Sequence, residues 1–229
     1  MAYDPAHSKL VLFGGKQASA GSIGETWTWN GSNWAVASPA TSPGPRHAAV
    51  MAYDPVSGKV IMFGGCLVTT GDCAYLDETW SWDGSTWTDL TSTVTTTPAS
   101  RGWAGMVEDP VSHKLLMYGG YNTSHGDYDE TWQWSGTDWT LLAPAHSPGV
   151  RDDFTMVADP AHSRVVLYGG YSGSSDLHDT WTWNGTDWTQ ATTTGPSARV
   201  DTMATYDPRL GRVVMFGGYH YDGVNDIGY

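Results

Sequence analysis

One recurring motif constrains the fold of this chain more than any other feature of the sequence. An apolar run ends at a glycine pair, and after a variable gap come an acidic residue, Trp-x-Trp, a short polar turn and a third tryptophan, as in 60–65 and 77–87. Such segments predict a strand, a loop and a β-hairpin. The glycine pairs are Gly14-Gly15, Gly64-Gly65, Gly119-Gly120, Gly169-Gly170 and Gly217-Gly218, and the tryptophan triplets are Trp27/Trp29/Trp34, Trp80/Trp82/Trp87, Trp132/Trp134/Trp139 and Trp181/Trp183/Trp188.

The spacing of the motif predicts a propeller. It returns about every 50 residues with four strand-like segments each time, which is typical of one propeller blade. On these residues the chain resembles the kelch-repeat family over essentially all of its 229 residues. The resemblance implies an all-β, kelch-type β-propeller, or an open propeller segment, of four nearly complete four-stranded blades plus a half blade. We expect a single domain, 1–229, with units at about 1–45, 46–100, 101–150, 151–198 and 199–229.

Several repeated residues are explained by this fold alone. The twelve tryptophans of the triplets are expected to be buried between sheets. An acidic residue precedes each Trp-x-Trp strand, and an arginine opens every unit after the first, so we predict arginine–carboxylate pairs that brace neighbouring strands. We leave these residues out of the candidate site. The arginines are Arg46, Arg101, Arg151 and Arg199, and the acidic residues are Glu25, Glu78, Glu130, Asp179 and Asp226.

The charge of the chain argues against two classes of partner. There are 24 acidic and 11 basic residues, for a net charge of -13, and only Lys16 and Arg209 lie outside the repeated basic positions. No basic patch can form, so we expect no binding to nucleic acid. No segment approaches the roughly 18 to 20 consecutive apolar residues of a membrane span, so we expect no membrane insertion.

The two cysteines bear on where the protein works. Cys66 and Cys73 lie seven positions apart in one loop. They indicate either a local disulfide in an exported protein or two free thiols in a cytosolic one. Low lysine content with many serines, threonines, glycines and tryptophans favours the first interpretation, in an extracellular or cell-surface protein of a bacterium.

Function is expected on the face where the units differ. The loops after the glycine pairs and those before the opening arginines emerge together, and they vary in length and residues. Tyrosines and a tryptophan beside carboxylates suit a protein or carbohydrate ligand. The neighbours Asp152 and Asp153 are expected to point to opposite faces of a strand. The candidate ligand-binding residues are Trp103, Tyr121, His125, Asp127, Asp152, Tyr171, Asp176, His178, Tyr219 and His220.

The same loops bear on cofactors. Their carboxylates and imidazoles could hold Ca²⁺ or a transition metal. No loop has a recognised ligand spacing, however, so we predict no cofactor and leave a metal open as the alternative.

These observations favour a non-catalytic recognition scaffold that binds a protein or glycan through variable loops on one face. Two alternatives stay open. One is a fragment of a metal-dependent enzyme similar to galactose oxidase, whose copper centre, as that family is known, uses two tyrosines, two histidines and a cysteine joined to a tyrosine; Cys66 follows a glycine pair. The other is a structural subunit that self-associates through unpaired edge strands.

Overall fold

The structure is a computed structural model that describes residues 1–18, 21–68, 71–192, 195–221 and 226–228. Short β-strands make up nearly all of its regular structure. In the first two units these are β1 (Ala2–Asp4), β2 (Lys9–Gln17), β3 (Gly21–Trp29), β4 (Trp34–Ala37), β5 (Val50–Asp54), β6 (Lys59–Phe63), β7 (Cys66–Leu67), β8 (Ala74–Tyr75), β9 (Thr79–Trp82) and β10 (Trp87–Asp89).

The remaining units follow the same order, and the fourth contains one turn of 3₁₀-helix, Pro160–His162. Within the described residues, the structure contains no helix with the length and apolar character that a membrane crossing requires. The strands are β11 (Gly105–Glu108), β12 (Leu115–Tyr118), β13 (Tyr121–Asn122), β14 (Gly126–Asp127), β15 (Thr131–Trp134), β16 (Trp139–Leu141), β17 (Thr155–Asp159), β18 (Arg164–Tyr168), β19 (Thr180–Trp183), β20 (Trp188–Gln190), β21 (Met203–Asp207), β22 (Arg212–Phe216), β23 (Tyr219–Tyr221) and β24 (Asp226–Gly228).

The strands form four antiparallel four-stranded sheets, which confirms the all-β prediction. Their orders are β1-β2-β3-β4, β5-β6-β9-β10, β11-β12-β15-β16 and β17-β18-β19-β20, and each sheet comes from one unit. In the fifth unit β21 pairs only with β22 among the described residues. Three small hairpins, β7–β8, β13–β14 and β23–β24, lie in the loops after the glycine pairs. The described parts of these loops therefore add a short antiparallel pair to units two, three and five.

The first strands of the five units lie side by side at the centre of the molecule. Consecutive members of the series β1, β5, β11, β17 and β21 contact each other. Together they line a central cavity of about 460 Å³. This arrangement gathers the openings of the units around one axis, so the loops that precede these strands also converge.

Neighbouring sheets are joined by a repeated contact that we call the Thr–Trp seam. The indole Nε1 of the third tryptophan in one unit donates a buried hydrogen bond to the threonine before Trp-x-Trp in the preceding unit, at 3.0 Å in all three cases. The same indole packs edge-on against the aromatic ring that precedes the glycine pair of the preceding unit. The seams are Trp87–Thr26 with Phe13, Trp139–Thr79 with Phe63, and Trp188–Thr131 with Tyr118.

The predicted arginine–carboxylate pairs are present in units two to four. Each arginine is almost fully buried, which is tolerated because its guanidinium also donates to a glycine carbonyl of the same unit. Each acid accepts a second bond from the first indole of Trp-x-Trp. The pairs are Arg46–Glu78, Arg101–Glu130 and Arg151–Asp179.

The expectation that every triplet tryptophan is buried is wrong for Trp34. Its side chain is 43% exposed, whereas Trp87, Trp139 and Trp188 at the equivalent positions are at most 2% exposed. Phe216 of β22 is similarly displaced from the pattern, with 79% exposure. Burial at both positions requires a neighbouring sheet, and no sheet in the described part of the chain covers either residue.

Candidate functional site

A repeated pairing brings the variable loops to the openings of the units. In units two to five, the residue after the opening arginine forms a two-way backbone bridge with the residue after the glycine pair. The bridge sets two distant segments beside each other, although 19 positions separate the two residues of each pair along the chain. The bridged pairs are His47–Cys66, Gly102–Tyr121, Asp152–Tyr171 and Val200–Tyr219.

The next residue in each of these units has a left-handed backbone. The φ values lie between 50° and 55°, which is uncommon for residues other than glycine. The amide of Trp103 donates to the carbonyl of Ala48, and that of Asp201 to the carbonyl of Asp153, both at 3.0 Å. These four residues line a cavity of about 260 Å³, which we call the inner cavity.

A second cavity of about 290 Å³ lies at the bridge of unit four, and we call it the loop pocket. It is lined by Tyr121, Asp127, Asp152, Tyr171 and Gly173. A side chain at residue 173 would place its Cβ 2.6 Å from the Oδ2 atom of Asp127, and φ there is 77°. Glycine therefore leaves room for the Asp127 carboxylate at this wall.

The loop pocket contains two carboxylates, each with one oxygen atom that accepts no hydrogen bond from the described residues. Asp152 is 8% exposed, and its buried Oδ1 accepts no hydrogen bond from the described residues. Burial, together with the charges of Asp153 and Asp127, raises the pKa of Asp152 to about 8. Burial likewise raises the pKa of Asp127, whose Oδ1 also accepts no hydrogen bond there.

The inner cavity has the same electrostatic character. Burial raises the pKa of Asp153 to about 7, and the neighbouring charges of Asp201 and Asp127 contribute. Asp152 and Asp153 do line different cavities, as expected, but not because they alternate along a strand. Strand β17 begins only at Thr155, and the left-handed backbone of Asp153 turns the two side chains apart.

An aromatic wall connects the two cavities. The ring of Tyr75 lies 6.1 Å from that of Trp103 and 5.8 Å from that of Tyr121, centroid to centroid. His47 meets Trp103 edge-on at 5.7 Å. Tyr75 belongs to the loop of unit two, so it reaches across to the rings of unit three. The arrangement offers flat apolar faces beside the carboxylates of the loop pocket.

Five of the ten candidate residues lie in the two cavities and five do not. Trp103 lines the inner cavity, whereas Tyr121, Asp127, Asp152 and Tyr171 line the loop pocket. The other five line neither cavity; they are His125, Asp176, His178, Tyr219 and His220.

The histidines outside the cavities have other surroundings. His125 stacks on Tyr128 at 4.2 Å, and the guanidinium of Arg101 lies 3.7 Å from the centroid of the same tyrosine ring. The Nδ1 atom of His220 lies 2.8 Å from the Oδ2 atom of Asp176. The imidazoles of His125 and His220 therefore have different partners.

Sequence reasoning missed Tyr75 and Gly173, and it did not select Asp153. No local pattern marks Tyr75, because its role depends on a contact with the next unit. Asp153 had a detectable signal in the alignment of the repeats. Its equivalents Ala48, Trp103 and Asp201 share its left-handed backbone, and the change from alanine to acidic residues at this one position distinguishes units four and five.

The described residues include no group of three or more His, Cys, Asp or Glu side chains placed to hold a metal ion. Cys66 is joined to Cys73 by a disulfide, and Cys66 is fully buried. No family model and no curated protein matches the chain.

Proposed function

We propose that this chain is a non-catalytic recognition scaffold that binds a protein or glycan through its variable loops. The observation that carries the proposal is the loop pocket, where Tyr121 and Tyr171 stand beside the buried carboxylates of Asp127 and Asp152. Its volume of about 290 Å³ lies at the lower end of the roughly 300–1,000 Å³ of small-molecule sites. That size favours one sugar residue over an extended peptide.

We further infer that the sheets are blades of a kelch-type propeller. Two features support this inference: the shared cavity of the first strands and the Thr–Trp seams between sheets. The disulfide between Cys66 and Cys73 supports an extracellular or cell-surface location, because disulfides persist in oxidising compartments. It also leaves the galactose-oxidase alternative without a free cysteine for its tyrosine cross-link.

A glycan array probed with the purified chain tests the proposal. We expect binding to a subset of glycans, and we expect Tyr121→Ala and Tyr171→Ala to weaken it at least tenfold because each removes a stacking face. Tyr3→Ala is the matched control, since Tyr3 is exposed on β1 and lines the central cavity instead. Equal binding by all four proteins, or no binding to any glycan, would count against glycan recognition through this pocket.

Two exposed faces favour self-association as a second candidate function. Among the described residues, no ring of another unit packs against Trp34 as rings do against its equivalents. Phe216 precedes a glycine pair, as Phe13 and Phe63 do, but it is exposed. Met203 on the neighbouring strand is 75% exposed and extends that apolar face. We propose that Trp34 of one copy packs against Phe216 of a second copy, in the manner of a Thr–Trp seam. Light scattering at several protein concentrations measures this association.

A further inference from the structure

The two carboxylates of the loop pocket lack the hydrogen-bond donors that normally surround a buried charge. A buried ionised carboxylate is costly unless it is paired with a cation or saturated with hydrogen bonds. Asp152 is more than nine-tenths buried and lines the pocket, yet its Oδ1 accepts no hydrogen bond from the described residues. The Oδ1 of Asp127, on the same pocket, is also without one.

The surrounding charges make this deficit worse. Asp153 and Asp201 add negative charge around Asp152, and the chain as a whole carries a net charge of -13. Among the residues that the structure describes, no lysine or arginine lines the loop pocket or the inner cavity. The positive group that would balance these carboxylates is therefore missing from the walls of both cavities.

We propose that the loop pocket binds a sugar residue that carries a free ammonium group, such as a hexosamine. The ammonium group lies between the carboxylates of Asp127 and Asp152, and an apolar sugar face packs against Tyr121 or Tyr171. The inference rests on the proposed recognition function and names the ligand class of the same pocket. The ammonium group supplies the missing partner of both carboxylates, and the aromatic rings supply the apolar surface that a sugar ring needs.

The structure distinguishes this ligand from two others. A calcium ion takes six to eight oxygen ligands, whereas the described residues contain no suitable group of three acidic or histidine side chains. A lysine side chain offers the same ammonium group, but its slender stem would cover less of the Tyr121 and Tyr171 rings of the pocket than a sugar ring does. A neutral sugar would use the rings and leave the carboxylates without a counter-charge.

Isothermal titration calorimetry at pH 7.5 tests the proposal with four probes: glucosamine, glucose, N-acetylglucosamine and Nα-acetyl-lysine methylamide. We expect glucosamine to bind at least tenfold more tightly than the other three. Asp152→Asn and Asp127→Asn should each weaken glucosamine binding at least tenfold and remove its advantage over glucose. The exposed Asp72 provides the matched control, since Asp72→Asn removes the same charge away from both cavities.

Each other result has a defined meaning. Equal binding of glucose and glucosamine, unchanged in Asp152→Asn, overturns the ammonium inference while glycan recognition stands. Preferential binding of the lysine probe overturns the sugar assignment and redirects the recognition function to a protein ligand. If none of the probes binds although the glycan array gives specific signals, the inference fails and the proposed function survives. If the array is also blank, the inference and glycan recognition through this pocket both fail. Circular dichroism of each variant establishes that it is folded.

Discussion

At the scale of single residues, the acidic positions of unit four are the most informative part of the molecule. His47, Gly102, Asp152 and Val200 occupy one repeated position, and all four make the same backbone bridge. The backbone therefore accepts an imidazole, a bare glycine, a carboxylate or an isopropyl group equally at this point. An aspartate that gains no hydrogen bond for its Oδ1 there is not required by the architecture, which is why we assign it to ligand binding.

The raised pKa of Asp152 predicts a pH-dependent stability. Between about pH 4, where an unfolded aspartate titrates, and about pH 8, the folded protein without a bound cationic group keeps a proton that the unfolded chain has lost. The stability contributed by this proton is complete below pH 4, declines as the pH rises, and is gone above pH 8. The charges of Asp127, Asp153 and Asp201 contribute to the raised pKa of Asp152. The other titratable groups that line the pocket are Tyr121 and Tyr171.

We therefore expect Asp152→Asn to become more stable relative to the wild type as the pH rises from 5 to 8.5. The gain should be on the order of a few kcal/mol, because one pKa unit corresponds to about 1.4 kcal/mol. Urea denaturation at the two pH values measures it, with Asp72→Asn as the control. Parallel pH profiles for the wild type and Asp152→Asn would show that this carboxylate is solvated in the folded protein.

At the scale of the elements, the same contact joins each of the four-stranded sheets to the next one along the chain. In units two to four, the indole that closes the hairpin donates to a threonine in the preceding sheet, and an aromatic ring of that sheet packs edge-on against the indole. The bond is buried and short, and its two partners lie 57 to 61 positions apart. Sheet packing here combines apolar burial with one directed polar contact in each seam.

Removing one seam hydrogen bond should destabilise the protein. Thr79→Val keeps the shape of the side chain but leaves the indole Nε1 of Trp139 buried without an acceptor. We expect a loss of about 1–3 kcal/mol, the cost of an unsatisfied buried donor. Thr180→Val is the matched control, because Thr180 has the equivalent position but receives no such indole from the described residues, and it should change stability by less than about 0.5 kcal/mol. Equal losses in the two variants would show that the seam bond contributes nothing; urea denaturation at pH 7 measures both.

At the scale of the whole molecule, the first and fifth units present complementary faces. Trp34 is the exposed counterpart of the buried seam tryptophans, and Phe216 is the exposed counterpart of the rings that receive them. Burying such large apolar side chains is worth about 1.5–3 kcal/mol each. A head-to-tail contact of this kind is heterologous, so it produces rings or open chains instead of a symmetric pair.

If the chain self-associates through Trp34 and Phe216, a single charged substitution at either residue should dissociate the assembly. We expect Phe216→Asp and Trp34→Asp each to give a monomer under conditions in which the wild type associates. Both residues are largely exposed, so the fold should survive, and Leu210→Asp, at an exposed turn of the same unit, should associate like the wild type. Multi-angle light scattering after size-exclusion chromatography measures the mass. A wild-type monomer at all accessible concentrations would rule this candidate out.

The repeated residues made much of the fold predictable from sequence. The glycine pairs, the Asp-Pro turns and the tryptophan triplets each have a local physical cause. In units two to five the glycine pair follows directly after the second strand, and the triplet tryptophans lie in the strands of the hairpins. Asp54, for example, accepts the amide of Val56 in its turn, at 3.1 Å. The arginine–carboxylate pairs were also predictable, because opposite charges recur at matching ends of the strands.

The parts that could not be predicted depend on neighbours that sequence periodicity does not identify. Trp34 has the same local sequence context as Trp87, and only the presence of an adjoining sheet separates an exposed ring from a buried one. Tyr75 lies beside the candidate site because its ring contacts Trp103 and Tyr121 of the next unit. His125 was expected in the site, but stacking on Tyr128 holds it elsewhere. In each case the deciding contact lies outside the residue's own unit.

The Thr–Trp seam also has an evolutionary consequence. Every seam pairs a tryptophan donor with a threonine acceptor. A unit between two seams therefore carries both: its tryptophan bonds to the preceding unit, and its threonine accepts a bond from the next. An in-frame duplication or deletion of one whole unit would regenerate a matched seam at the new junction without a compensating mutation. Recombination within such a gene can therefore change the number of units while the variable loops diverge independently.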